Sequence, residues 1–200
     1  MEPVSSPAPD SIHERAIADL RYIRSAVENA GSFTAVSGVG GVALGAVGLV
    51  AAMIAATETS TPSRWLTVWL IAAVVACAIG AAAMARKARR AGASLVSAPA
   101  RRFALAFFPA IGAAAMLTAA LVGHGLFDVL PGLWLLLYGV AVSAGGALSV
   151  RVVPFMGVGL LVIGALALFV PFQTANLLLG IGFGVVQIAG GVVIMRRYGG

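Results

Sequence analysis

A histidine and an aspartate four residues apart, His124 and Asp128, are the nearest approach to a reactive pair in this chain. Together they offer one proton relay or half a metal site. Two ligands are too few for a closed zinc site. Asp128 also immediately precedes an apolar run, where an aspartate is a preferred N-cap, and capping is the reading its position favours. Ser143 has the small neighbours of an intramembrane nucleophile, Ala-Val-Ser-Ala-Gly. It lies far down the same run from His124, about 21 Å at 1.5 Å per helical residue, so no base serves it. Gln187 is the strongly polar side chain that stands out deep within the apolar runs. Its amide would cost several kcal/mol if left in hydrocarbon. An interhelical hydrogen bond is the expected solution, and contact with a solute is the alternative. No phosphate-binding loop, cysteine cluster or haem-type histidine pair is present. Neither an enzyme nor a cofactor or metal is therefore expected.

The elements that must hold these residues are apolar. Six runs, 33–56, 65–85, 103–123, 129–149, 152–170 and 175–195, contain no Asp, Glu, Lys or Arg. A hydrocarbon core about 30 Å thick takes roughly 20 helical residues to cross. Backbone polar groups find no water there, so each run must be a helix. Mean hydropathy is +1.02. Charged residues make up 10% of the chain, against roughly 25% in soluble domains. The expected fold is all-α: a polytopic membrane protein of six transmembrane helices, in which three hairpins point outward. Residues 32–197 would form this domain.

The placement of charge gives an orientation. Of the 13 Lys and Arg residues, only Arg64 falls in the connections of one side. Arg15, Arg21, Arg24, Arg151, Arg196 and Arg197 fall on the other, together with Arg86, Lys87, Arg89, Arg90, Arg101 and Arg102. The positive-inside rule makes both termini cytoplasmic. Arginine far outnumbers lysine, and alanine and glycine abound, as GC-rich bacterial genomes encode; a bacterial inner membrane is the expected location. Segment 86–102 has no acidic residue. It reads as a topology determinant beside anionic headgroups, with the lipid bilayer as its partner. It carries no aromatic side chain for base stacking, so nucleic acid is not expected.

Residues 1–10 are Pro- and Ser-rich and read as disordered. A cytoplasmic amphipathic helix follows over 11–31. Ser11 and Glu14 form a capping box, and Gly31 supplies a stop. Ile12, Ala16, Leu20, Ile23, Val27 and Ala30 recur on one face. Arg15–Asp19 and Arg24–Glu28 are i,i+4 pairs on the other. With its charges balanced, helix 11–30 has weak attraction for anionic lipid. It could dock on its own bundle or bind a cytoplasmic protein partner.

Glycines mark expected contacts between helices. Gly41 and Gly45 form one GxxxG, Gly180 and Gly184 another, and Gly191 continues the second stripe through Gln187. Such faces let backbones approach in lipid, within one chain or in a homo-oligomer. Pro109 is placed to kink the third run. Trp65, Trp69 and Trp134 lie toward the outer ends of their runs and read as interface anchors. Cys77 stands alone inside the second run and reads as a packing residue. Ser37-x-x-Gly40, Pro109-x-x-Gly112 and Pro154-x-x-Gly157 trace a faint three-fold repeat, of a kind known in transporters.

Residues 14–41, ERAIADLRYIRSAVENAGSFTAVSGVGG, resemble the start of a group of uncharacterised bacterial six-span membrane proteins. That group often has Pro where this chain has Ser37. The resemblance implies a six-span fold, with no activity and no site residues. Some of those proteins are encoded beside a winged-helix regulator, which would imply signalling. Two functions compete on these grounds. One is a non-enzymatic regulatory, sensory or assembly role through the N-terminal helix. The other is a small-solute channel or transporter using the glycine interfaces and Gln187.

Overall fold

The computed structural model describes residues 15, 17–22, 37–90 and 97–198. All regular structure among them is helical. The main helices are α1 (Gly38–Thr57), α2 (Pro62–Arg90), α3 (Ala98–Gly123), α4 (Leu130–Gly146), α5 (Val152–Ala167) and α6 (Phe172–Tyr198). Five stretches are long and apolar enough to cross a membrane: α1, α2, α3, α6, and α4 together with the 3-10 turn before it. Helix α5 is equally apolar but shorter. It stops at Ala167, ahead of the 152–170 expected, because a turn over residues 168–170 leads into Pro171.

Local chemistry sets several ends. The Ser37 side chain caps α1, accepting from the Gly40 N–H at 3.1 Å. Ser97 caps α3 in the same way, from Ala100 N–H at 3.4 Å. Each satisfies a donor that the first turn leaves open. Gly125 closes α3 at φ +73°, a conformation that favours glycine. Helix α2 runs on to Arg90 and α3 begins at Ala98. Much of the expected basic connection 86–102 is thus helix; residues 91–96 lie outside the described ones. The expected cap at Asp128 is not formed. Asp128 sits in the 3-10 turn Phe127–Val129, and α4 starts after Val129 with no side-chain cap. That turn moves the helix start too far along for the carboxylate to reach its open N–H groups.

Helices α1, α4, α5 and α6 make the core. Leu130, Leu135, Leu160 and Leu179 are fully buried there. Helix α6 packs on α1, α4 and α5, while α2 leans on α1 and α3 on α4. Helix α2 buries only Trp65, Trp69 and Ala88, and α3 only Ala100. Apolar side chains left uncovered cost little where the solvent is lipid.

Glycines let α1 and α6 meet backbone to backbone. A Cβ on Gly45 would lie 2.6 Å from the Gly184 carbonyl oxygen. One on Gly191 would lie 2.6 Å from the Val42 nitrogen and 2.7 Å from the Gly38 oxygen. Gly41 sits over Gly191, and Gly180 over Ala52. These glycines therefore face each other within one chain.

Of the expected N-terminal helix, residues 15 and 17–22 are described, and they are helical. Ser11, Glu14 and Gly31 lie outside the described residues.

Candidate functional site

Two buried amides in α6 organise the polar interior. Asn176 is 3% exposed and Gln187 6%. Asn176 holds three helices together. Its Oδ1 accepts from Trp65 Nε1 at 2.8 Å and Trp69 Nε1 at 3.2 Å, both on α2. Its Nδ2 donates to the Ala52 carbonyl of α1 at 3.3 Å. Gln187 Nε2 donates to the Tyr138 hydroxyl of α4. Both side chains thus spend their hydrogen bonds inside the protein, as buried polar groups must.

A π turn separates them. Residues Ile181–Val186 of α6 are π-helical. In an uninterrupted α-helix, residues 176 and 187 would point within roughly 20° of each other. A π turn holds one extra residue, which rotates the rest of the helix by roughly 100°. Asn176 accordingly faces α1 and α2, and Gln187 faces α4. Gln187 follows the turn on the same stretch of regular helix as Gly191; its carbonyl stays near α1, 3.5 Å from a Cβ added at Gly41, while its side chain reaches Tyr138. Sequence spacing, which assumes 3.6 residues per turn, put Gly180, Gly184, Gln187 and Gly191 on one face.

Around the amides runs a chain of aromatic rings. Phe103 stacks on Phe107 at 5.7 Å, and Phe107 meets Tyr138 edge-on at 6.1 Å. Tyr138 meets Phe183 at 5.1 Å, and Phe183 meets Trp69 at 6.0 Å. Trp65 continues the chain, stacked on Trp134 at 5.4 Å. Trp134 in turn donates to Thr118 of α3 at 2.8 Å. Trp65 and Trp69 are therefore not interface anchors. They are 0% and 4% exposed and turned inward, because Asn176 supplies the acceptor their N–H groups need. The sequence reading missed Asn176, placed at the edge of its run. A signal was available: Trp65 and Trp69 recur at i,i+4, so one helix face carries two N–H donors in need of a buried acceptor.

The other candidates are scattered. His124 ends α3 through its backbone N–H, and no hydrogen bond or ion pair joins it to Asp128. Ser143 packs against Gly157 of α5, and its buried Oγ has no hydrogen-bond partner. No base activates it. No group of three or more His, Cys, Asp or Glu side chains among the described residues could hold a metal. Arg86, Arg89, Arg90, Arg101 and Arg102 are exposed where α2 ends and α3 begins, and Lys87 is half-buried beside them. What these groups offer is cohesion between helices and a cationic surface, with no reacting pair.

No protein-family model, no curated protein and no solved structure matches this chain.

Proposed function

We propose that this chain is a multi-pass protein of the bacterial inner membrane, without catalytic activity, that serves a regulatory, sensory or assembly role through its N-terminal helix. In this reading α5 is a sixth span, the six helices form three outward hairpins, and both termini are cytoplasmic. The division of positive charge supports that orientation. The observation that carries the role is Leu20. It lies on the apolar side of the N-terminal helix, yet it is 66% exposed. A leucine on an amphipathic helix that its own bundle does not cover is a natural anchor for a partner's groove. The two buried amides support the same reading, since both are committed to partners within the chain.

A photocrosslinking residue at Ala18, introduced in native membranes, tests it. A discrete adduct with one other protein is expected, and Leu20→Glu should remove it. Adducts confined to lipid, or insensitive to Leu20→Glu, would refute the role. Uptake of a small neutral solute by liposomes holding the purified chain would favour the transporter instead.

A further inference from the structure

The π turn Ile181–Val186 divides α6 into two halves that are held differently. Asn176 pins the first half, through hydrogen bonds with Trp65 and Trp69 of α2 and the Ala52 carbonyl of α1. The second half, Gln187–Tyr198, has one side-chain hydrogen bond to another helix among the described residues, from Gln187 to Tyr138. Two successive glycines make its close approaches to different neighbours. Gly191 packs on α1, where an added Cβ would lie 2.6 Å from the Val42 nitrogen and 2.7 Å from the Gly38 oxygen. Gly190 packs on α5, where an added Cβ would run into the Met156 side chain. Ala189, one residue earlier, is exposed.

A π turn holds one extra residue, and returning it to α geometry releases that residue. The second half would then turn by roughly 100° and advance by roughly 1.5 Å. Each of its residues would take the place its successor holds now. The stretch Val186-Gln187-Ile188-Ala189-Gly190-Gly191 suits that exchange. Gly190 would take the place of Gly191, where backbone atoms of α1 leave no room for a side chain. Ala189 would take the place of Gly190, where the nearest atoms belong to Met156, a flexible side chain that can give way. Val193 would replace Ile194, which is 2% exposed, one branched apolar side chain for another. Gln187 would leave Tyr138 to Val186 and turn toward Gly45 of α1, where Ile188 lies now.

We propose that α6 is a two-register helix, in which the π turn is the joint of a conformational switch. The second half turns against α1, α4 and α5 while Asn176 holds the first half still. The Gly190–Gly191 pair carries the proposal. A helix with a single register needs one glycine against the α1 backbone, whereas two in succession keep that place open to both registers. The Gln187–Tyr138 hydrogen bond favours the π register. Anything that binds one register more tightly than the other shifts the balance. The moving end carries Arg196 and Arg197, both exposed, so the change is displayed at the surface. The switch does not depend on what the N-terminal helix binds.

Disulfide trapping in the full chain tests it. In a Cys77→Ala background, Met156→Cys and Ala189→Cys supply the pair. The Met156 Cγ lies 2.9 Å from a Cβ at the Gly190 place, within the reach of a disulfide, so oxidation joins the cysteines when residue 189 moves there. Tyr138→Phe leaves α6 itself unchanged and removes the bond that favours the π register. It should speed trapping roughly three- to tenfold, the ratio that one intramembrane hydrogen bond is worth, and Gln187→Leu should do the same. Gly191→Ala crowds α1 only in the π register and should also speed trapping. Gly190→Ala crowds α1 only in the other register and should abolish it. Size-exclusion profiles restrict the comparison to folded variants. A rate unmoved by Tyr138→Phe, a folded Gly191→Ala variant that traps no faster, or a rate that survives Gly190→Ala would each overturn the switch.

Discussion

The indole N–H of Trp65 donates to the Asn176 side chain at 2.8 Å, joining residues 111 positions apart in sequence. Trp69, one turn further along α2, donates to the same oxygen. One acceptor therefore neutralises two donors that would otherwise stand open in an apolar interior. Asn176→Leu should strand both. An unsatisfied buried donor costs about 1–3 kcal/mol, so this substitution should destabilise the bundle more than any other single change in α6 that keeps side-chain volume. Reversible unfolding in mixed micelles measures it. A loss below that of Gln187→Leu would contradict the arrangement.

Gln187→Leu should cost roughly 0.6–2 kcal/mol, the range of intramembrane hydrogen bonds. Tyr138→Phe removes the same contact, so the two changes together should cost much less than their sum. Additive losses in a double-mutant cycle would mean that the two side chains do not interact.

Glycine positions should divide sharply. Gly45→Ala places a methyl 2.6 Å from the Gly184 carbonyl oxygen and forces α1 away from α6. Gly159 has nothing within 4 Å of its added carbon, so Gly159→Ala should be neutral or stabilising by up to about 1 kcal/mol. Thermal melts of the two detergent-solubilised variants, run side by side, give the answer. Equal behaviour would rule out backbone contact between α1 and α6.

Caps provide a further contrast. Ser37→Ala removes an observed cap and should cost about 1 kcal/mol. Asp128 caps nothing, and Asp128→Ala should stay within about 0.5 kcal/mol of the parent. Denaturation midpoints of the two variants suffice, and a reversed order would restore the capping role to Asp128.

Orientation is open to direct labelling. In a Cys77→Ala background, cysteines at Thr59 and Gln173 should react with an impermeant maleimide added to intact cells. A cysteine at Ser149 should react only after the cells are opened. Reaction at Ser149 in intact cells would invert the proposed topology.

Much of this architecture is legible residue by residue. Uncharged apolar runs far longer than a soluble core requires demand helices, because lipid offers backbone groups no partner. The starts of α4 and α5 and the end of α3 fall within a residue of where the uncharged runs place them. Gly41, Gly45, Gly180, Gly184 and Gly191 lie where α1 meets α6, as do Gly38 and Gly48, which the spacing did not single out. Those features stem from composition and local spacing alone.

What the sequence could not assign is which face of each helix turns inward. In water, the apolar stripe of an amphipathic helix marks its buried side. In lipid both sides are apolar and the stripe vanishes, so Trp65 and Trp69 looked the same whether they faced headgroups or the core. Tertiary packing decided that, by bringing Asn176 of α6 to their N–H groups. It also decided the direction of Gln187, since the π turn at Ile181–Val186 breaks the 3.6-residue period from which faces are read.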